Sequence, residues 1–412
     1  MRNNIMLFGL PHVLANYGCE AIVQGTSPLL KKVMPQCNIL YISDSHSELD
    51  RKRLGDDCPV IVEDSVRRFS PRFFIRRFCS YLYIDRKRRY PAAEQLKKID
   101  CVLSIGGDLY TFADEEGAKT WPYPWPIVKD GNYIMDKGVP YVIWCASIGP
   151  LDRAGKRLPE LVEHLKRCAA IIVREETSYN HLVNDLSIKD NVYLAADPAY
   201  YMDPEPFEAP FIKENDPPAI AFNISEGSIR QVIGFNNRRY EEICNSYLNC
   251  MKKLIKENNY RILLVPHQVT DHEFYQRFYK EISGQYKNMC LVAPNNLGAR
   301  KTKWLISKCV GLVTIRFHCA LAGYGTCTPT LLVLTKPKGA KLVKDIFGDL
   351  TYSIELKEMD ENALYEKIIS IVEKNAEIKN VLMDNLKCMR EKAEYAGQLV
   401  DQVITRHKAD VH

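Results

Sequence analysis

Short apolar runs alternate with amphipathic helical segments along nearly the whole chain. The runs typical of strands are Ile5–Phe8, Asn38–Ile42, Val60–Val62, Val102–Ile105, Tyr141–Trp144 and Ile171–Val173 in the first half, and Ala219–Asn223, Arg261–Val265, Met289–Val292, Val310–Thr314 and Thr330–Leu334 in the second. Helical patterns such as Glu20–Lys32 and Arg157–Arg167 lie between them. Because strand, helix, strand repeats favour parallel sheets with helices on both faces, this alternation predicts an α/β protein.

The length of 412 residues predicts two domains, because a chain of this size exceeds one ordinary hydrophobic core. Five prolines between Asp203 and Pro218 indicate the linker. We therefore predict a first Rossmann-like domain over 1–203, a linker over 204–218, a second Rossmann-like domain over 219–360 and a helical segment over 361–412. Two such domains facing each other across a cleft would form a GT-B-like arrangement.

The positive charge of the chain is concentrated in one segment. The net charge is +5, and residues 67–90 hold nine Lys or Arg residues with Asp85 as their only acid. Aromatic residues alternate with these cations, as in helices that lie on anionic lipid headgroups. A helix that packs its aromatics into the first domain is the alternative. Nucleic-acid binding is disfavoured, because no DNA- or RNA-binding motif accompanies the charge.

Cysteine spacing and hydropathy bear on the compartment. None of the fourteen cysteines forms a Cys-x-x-Cys pair, and most lie in apolar runs, which predicts a reducing environment. No signal peptide is recognisable, and no apolar stretch is long enough to cross a bilayer. We expect a cytoplasmic protein, peripheral to the inner face of the cell membrane if segment 67–90 contacts lipid.

Three cationic or donor residues follow two consecutive strands of the second half. Arg316 and His318 begin the segment after Val310–Thr314, and Lys338 follows Thr330–Leu334. Because the carboxyl ends of parallel strands meet at one edge of a sheet, we expect these side chains to converge. Helix amino termini there add backbone donors, so the pattern predicts a pocket for a small, multiply charged anion. A purely structural role for His318 is the alternative.

Two further sites combine glycine with polar residues in the first half. Gly106-Gly107-Asp108 ends a predicted strand, where a ligand can approach the backbone closely or where the chain simply turns. Arg174 ends another apolar strand and either binds an anion or pairs with Glu175 or Asp197.

The loop up to Gly18 precedes a helix, but it matches neither a P-loop nor a dinucleotide fingerprint.

An ordered set of short motifs resembles the polysaccharide pyruvyl transferase family. The motifs are Asn16-Tyr17-Gly18 with Glu20, Ser104 to Asp108, Val173 to Ser178, Ala196-Asp197-Pro198, Val265-Pro266-His267 with Asp271, Arg316-Phe317-His318, and Pro337-Lys338. They extend over most of the chain, from about Asn4 to about Phe347. Cys19, Glu175 and Thr335 depart from the family pattern, which puts the acceptor in doubt before the reaction type.

The resemblance implies transfer of a pyruvyl group from phosphoenolpyruvate to a sugar of a cell-surface polysaccharide or its lipid-linked precursor, with release of phosphate. It implies Arg174, Arg316 and Lys338 as ligands of phosphoenolpyruvate, and His318 with Arg316 as catalytic residues. The implied acceptor-binding residues are Asn16, Gly18, Glu20, Gly106, Gly107, Asp108 and His267. Neither a cofactor nor a metal is expected, since phosphoenolpyruvate is a co-substrate.

Two other functions stay open from the residues. A GT-B glycosyltransferase would use Arg316 and Lys338 to bind the diphosphate of a nucleotide sugar, and would release UDP or GDP instead of phosphate. A non-catalytic glycan- or lipid-binding protein would bind an acceptor without turnover.

Overall fold

The computed structural model of the protein describes residues 2–9, 16–43, 47–55, 58–62, 93–112, 124–209, 212–213, 215–268 and 270–411. The basic aromatic segment 67–90 lies outside these ranges, so its predicted membrane contact stays a prediction.

The first sheet has seven parallel strands in the order β3-β2-β1-β4-β5-β6-β7. The strands are β1 Asn4–Phe8, β2 Asn38–Ser43, β3 Val60–Val62, β4 Cys101–Ile105, β5 Tyr141–Ala146, β6 Ala170–Val173 and β7 Val192–Leu194. All residues of β4, β5 and β6 are buried, as expected for strands covered on both faces.

The helices of this part are α1 Tyr17–Val33, α2 Ser47–Leu54, α3 Ala93–Leu96, α4 Trp125–Asp136, α5 Leu158–Arg167 and α6 Glu176–Asn180. Short 3₁₀ segments cover Asp152–Arg157 and Pro198–Tyr201, and a π-helical turn covers His181–Asp185.

The second sheet has six parallel strands in the order β10-β9-β8-β11-β12-β13. The strands are β8 Ala219–Asn223, β9 Arg261–Leu264, β10 Cys290–Val292, β11 Gly311–Thr314, β12 Thr330–Leu334 and β13 Ser353–Glu355. The central pair β8 and β11 is flanked by β9 and β12, so the loops after these four strands emerge side by side at the carboxyl edge.

The helices of the second part are α7 Glu226–Ile233, α8 Asn237–Asn258, α9 Asp271–Ser283, α10 Ala299–Ser307, α11 Phe317–Tyr324, α12 Pro337–Phe347, α13 Glu361–Glu373 and α14 Asn375–Val411. Each of α7, α9, α11 and α12 begins shortly after a strand of the second sheet, so their first turns lie at its carboxyl edge.

The strand pattern of the sequence is confirmed to within two residues for every predicted strand. Strands β7 and β13 were not predicted, because three residues at the rim of a sheet carry too little apolar pattern to be recognised. The predicted helical segment from Glu361 onward consists of two helices, α13 and α14, because Lys374 leaves helical geometry between them.

Contacts between Cα atoms divide the chain into two compact units. One contains the described residues within 1–14, 22–201 and 390–412, and the other those within 15–21 and 202–389. The prediction placed residues 15–21 in the first domain, whereas they group with the unit of the second sheet. It placed residues 390–412 in the helical segment after the second domain, whereas they group with the unit of the first sheet. In the first unit Gly397 packs so closely against Leu29 and Val33 that a side chain would meet them at 3.0 Å.

No helix within the described residues is long and apolar enough to cross a membrane.

Candidate functional site

The predicted cationic residues lie together at the carboxyl edge of the second sheet. Arg316 is the residue that precedes α11, and His318 lies in its first turn, while Lys338 lies in the first turn of α12. Strands β11 and β12 pair directly. Lys338 Nζ lies 5.5 Å from the centre of the Phe317 ring, which brings the two helix amino termini next to each other.

Neither of these two helices has an acidic residue in its first turn. The positive end of each helix dipole therefore acts with the same sign as the Arg316 guanidinium and the Lys338 ammonium. We call this region the cationic half of the edge, defined by Arg316, His318 and Lys338. Its arrangement suits a ligand with more than one negative group.

Hydrogen bonds hold the Arg316 side chain in one orientation, but one of its N–H groups has no acceptor among the described residues. Its Nη2 donates to Asp271 Oδ1 at 2.7 Å and to Gln268 Oε1 at 3.0 Å, and its side chain is 16% exposed. Its Nε is buried and makes no hydrogen bond within the described part of the chain. A buried donor without an acceptor costs about 1–3 kcal/mol, so this N–H is suited to an incoming carboxylate or phosphate oxygen.

The segment around Gly18 packs against His318. A Cβ on Gly18 would lie 2.7 Å from His318 Nδ1, so any side chain there would displace the imidazole. Asn16 forms an antiparallel bridge with Gln268, and its Oδ1 accepts a hydrogen bond from the Gly18 N–H at 2.9 Å. The Asn16 motif thus positions His318, which gives a physical reason for a glycine at this point.

His267 is sealed into the same region. It is 4% exposed, its carbonyl accepts from Tyr17 N at 3.1 Å, and its own N–H donates to Asp271 Oδ2 at 2.9 Å. Burial lowers the pKa of His267 well below its usual value, and the nearby Arg316 and His318 lower it further. The backbone of His267 thus connects Tyr17 to Asp271 at the edge, and the predicted contact of His267 with an acceptor stays a prediction.

Glu20, also predicted to bind the acceptor, is buried at 1% exposure in the first turn of α1. Its backbone N–H donates to the Asn16 carbonyl at 3.1 Å.

Arg174 lies in the other unit, at the carboxyl end of β6, and its side chain is 2% exposed. Its Nη1 donates to Asp197 Oδ2 at 2.6 Å, and Nε and Nη2 donate to Ser147 Oγ at 3.1 and 2.9 Å. Nη2 also lies 3.3 Å from Asp108 Oδ1. The structure therefore shows Arg174 paired with Asp197, and its predicted contact with phosphoenolpyruvate stays a prediction.

The glycine pair at the end of β4 is explained by the same arginine. A Cβ on Gly107 would lie 2.9 Å from Arg174 Nη2, and the Gly107 carbonyl is 3.3 Å from that atom. Gly106 has a φ of +147°, which favours glycine. Gly106, Gly107, Asp108 and Arg174 are thus brought together, around a buried ion pair.

The neighbouring half of the second sheet's edge has the opposite side-chain charge. Helices α7 and α9 begin after β8 and β9, and their first turns contain Glu226, Asp271 and Glu273. We call these first turns the acidic half of the edge. They line an open cavity of about 500 Å³, whose walls are Ser225, Glu226, Gly227, Ser228, Gln231, Gln268, Thr270, Asp271, Phe274 and Arg316.

The sequence did not predict this cavity, although two of its lining residues, Arg316 and Asp271, lie in motifs noted above. The rule that ligands bind beyond strand carboxyl ends applies to β8 and β9 as well, and it is the signal that would have located Ser225 to Ser228. No strong motif marks these residues, because hydroxyl, amide and carboxylate side chains are common at helix amino termini.

Within the described ranges, no group of three or more His, Cys, Asp or Glu side chains is placed to hold a metal ion.

A family model described as polysaccharide pyruvyl transferase matches residues 16–337, which is more than three quarters of the chain. No curated protein matches the sequence significantly.

Solved structures with the same fold are nucleotide-sugar enzymes of low sequence identity. UDP-GlcNAc 2-epimerase from Neisseria meningitidis bound to UDP-GlcNAc has a TM-score of 0.59 and 11% identity, over 98% of this chain and 100% of that one. UGT71G1 from Medicago truncatula complexed with UDP-glucose has a TM-score of 0.55 and 12% identity, over 98% of both chains. UDP-GlcNAc 2-epimerase from Methanocaldococcus jannaschii has a TM-score of 0.55 and 11% identity, over 90% and 92%. These likenesses confirm the predicted fold class, two Rossmann-like domains of the GT-B type.

Proposed function

The chain belongs to the polysaccharide pyruvyl transferase family, and from that premise we propose that it transfers a pyruvyl group from phosphoenolpyruvate to a sugar of a cell-surface polysaccharide or its lipid-linked precursor. The observation that carries the proposal is the cationic half of the edge, where Arg316, His318 and Lys338 lie at two adjacent helix amino termini with no acidic residue in their first turns.

The charge of phosphoenolpyruvate matches this region. The molecule carries a carboxylate and a phosphate, so it needs two cationic subsites at a fixed separation. Arg316 supplies a guanidinium with an unsatisfied buried Nε, and Lys338 supplies an ammonium from the adjacent helix. Arg174 is not part of this proposal, because Asp197 and Ser147 already hold its guanidinium.

The proposed reaction begins with a proton transfer. His318, as imidazolium, donates a proton to the methylene carbon of the enol, which becomes a methyl group and leaves an oxocarbenium-like centre at C2. A sugar hydroxyl attacks C2 and loses its proton. The bond between C2 and the phosphate oxygen breaks, and a second hydroxyl of the same sugar closes the cyclic ketal. Of the two hydroxyl protons, one restores the imidazolium and the other leaves on hydrogen phosphate.

His318 is well placed for such a role. It is half-buried in the first turn of α11, and Gly18 leaves room for its ring at close range. Its position is therefore fixed by the backbone of a neighbouring segment. A positioned general acid typically contributes about 10² to 10⁴ in rate.

The test is turnover of phosphoenolpyruvate in the presence of p-nitrophenyl glycosides, read as phosphate release and as the mass of the product. We expect phosphate and a pyruvylated glycoside with the unmodified protein, and a fall in kcat of about 10² to 10⁴ in His318→Ala. His407→Ala, a change of the same residue type in α14, is the matched control and should keep full activity.

Two results would contradict the proposal. Phosphate release at the normal rate by a folded His318→Ala variant would remove His318 from the chemistry. Release of UDP from UDP-glucose, with no consumption of phosphoenolpyruvate, would assign the site to a glycosyltransferase instead.

A further inference from the structure

The cavity of the acidic half lies beside the proposed donor site and shares Arg316 with it. Its residues come from three loops, after β8, β9 and β11, which are neighbours in the sheet. We propose that this cavity binds the uncharged sugar ring of the acceptor, an inference that rests on the proposed pyruvyl transfer.

Charge argues against an anion in this cavity. Its lining contains two carboxylates, Glu226 and Asp271, and one guanidinium, that of Arg316. Asp271 Oδ1 lies 2.7 Å from Arg316 Nη2, so this pair is neutral as a unit, and Glu226 Oε1 lies 3.8 Å from Arg230 Nε. Each carboxylate of the lining is thus paired with a guanidinium, so the cavity offers a phosphate group no excess of positive charge, whereas a neutral ligand needs none.

The hydrogen-bonding groups suit a polyol. Gln231 and Gln268 each present an amide that donates and accepts, and Ser228 and Thr270 carry hydroxyl groups that do the same. The Glu226 side chain, when ionised, accepts hydrogen bonds and donates none. A sugar hydroxyl both donates and accepts, so such a mixed lining can satisfy several hydroxyl groups of one ring.

Phe274 adds an apolar surface to this polar lining. It is half-buried, and its ring is supported by the buried Phe278 in an edge-on contact at 5.2 Å between centroids. The flat face of a pyranose carries C–H groups, which pack favourably on an aromatic ring. The volume of about 500 Å³ falls in the usual range of small-ligand sites, roughly 300–1,000 Å³, and leaves space for a hexose and part of its neighbour.

In this inference the Arg316 side chain contacts both substrates. Its Nη2 is committed to the acidic half through Asp271 and Gln268, while its backbone begins the helix that carries His318. A ring bound in the cavity therefore lies against the same guanidinium that the donor uses. In this inference Asn16 and Gly18 position His318, and the cavity residues hold the acceptor.

The experiment separates the KM for the acceptor from the KM for phosphoenolpyruvate in three variants, Gln231→Ala, Glu226→Gln and Phe274→Ala. We expect each to raise the KM for the p-nitrophenyl glycoside about tenfold, the size of one net hydrogen bond or one ring contact, and to change the KM for phosphoenolpyruvate less than twofold. Gln231 is exposed, so its variant tests the cavity even if Phe274→Ala folds poorly.

Matched controls come from α9 and from the connection between α7 and α8. Gln276→Ala, Glu281→Gln and Phe235→Ala, the last at a residue that is 88% exposed, change the same residue types outside the cavity lining and should leave both KM values unchanged. A rise in the KM for phosphoenolpyruvate in the cavity variants, or an unchanged acceptor KM in all three, would overturn the inference.

Binding measured without turnover distinguishes failure of this inference from failure of the proposed function. Saturation-transfer NMR with p-nitrophenyl glycosides of glucose, galactose and mannose should show contact with the sugar protons, and this signal should weaken in Gln231→Ala. That result supports the cavity even if no phosphate is ever released. If UDP-glucose binds there instead and no glycoside does, the cavity is a nucleotide site and the inference is wrong.

Discussion

The carboxyl edge of the second sheet consists of two adjacent halves with the same architecture and opposite side-chain charge. In both halves two helices begin shortly after parallel strands, so the backbone dipoles point the same way. The first turns of α11 and α12 carry His318 and Lys338, and those of α7 and α9 carry Glu226 and Asp271. Acids at a helix amino terminus neutralise the dipole, while cations add to it. The side chains therefore decide which half is suited to an anion.

Arg316 lies at the boundary between these halves. Its pair with Asp271, which is 6% exposed, fixes the guanidinium, and its unsatisfied Nε leaves one donor for a ligand. Removing one partner of such a buried pair typically costs about 3–5 kcal/mol, because a charge is left without compensation. A charge-conserving substitution is therefore the informative one.

The largest effect is expected for Arg316→Lys, which keeps the charge but loses the planar fork. We predict that kcat/KM falls about 100-fold for phosphoenolpyruvate and that the KM for the glycoside rises as well, since both halves use this residue. Steady-state kinetics with each substrate varied in turn measure the two effects. Arg238→Lys, at an exposed position on α8, is the control. A change confined to one substrate would show that the halves do not share Arg316.

A smaller and one-sided effect is expected for Lys338→Ala. Loss of one cationic contact should raise the KM for phosphoenolpyruvate about tenfold and leave the KM for the glycoside unchanged. Inorganic phosphate should inhibit the unmodified protein competitively against phosphoenolpyruvate, and more weakly in the variant. Lys341→Ala, one turn further along α12 and paired with Asp345, is the control. Equal loss of affinity for both substrates would argue against two separate halves.

The smallest effect concerns stability and His267, which lies next to both halves. Its pKa is held well below the usual value near 6.5, so the unfolded chain binds a proton as the pH falls below about 6.5 and the folded chain does not. The free energy of unfolding should therefore decrease from pH 7 toward pH 5, and the decrease should be shallower in His267→Gln. Chemical denaturation at a series of pH values measures this slope.

His164 in the first unit also makes the free energy of unfolding decrease as the pH falls, since burial lowers its pKa to about 4. It stays in place in the His267 variant and supplies a residual slope. An unchanged slope in His267→Gln would show that His267 is not the group that titrates.

The sequence determined the elements of the fold and the chemistry of the cationic half. Alternating apolar runs determine β1 to β6 and β8 to β12, because buried parallel strands need continuous apolar residues. Arg316, His318 and Lys338 were identified because their distance from strand ends follows from local pattern alone. Only the tertiary structure decided which polar groups already have partners.

Arg174 and Gly18 show why the sequence alone does not identify the partners of a polar group. The sequence left Arg174 with two roles, and only packing brings Asp197 and Ser147 to its guanidinium, from positions 23 and 27 residues away. Gly18 was assigned to the acceptor from its motif, whereas the fold places it against a histidine 300 residues further along the chain. The cavity of the acidic half likewise forms only where the three loops after β8, β9 and β11 come together. Long-range contacts set burial and charge compensation, and these two quantities separate a binding residue from a structural one.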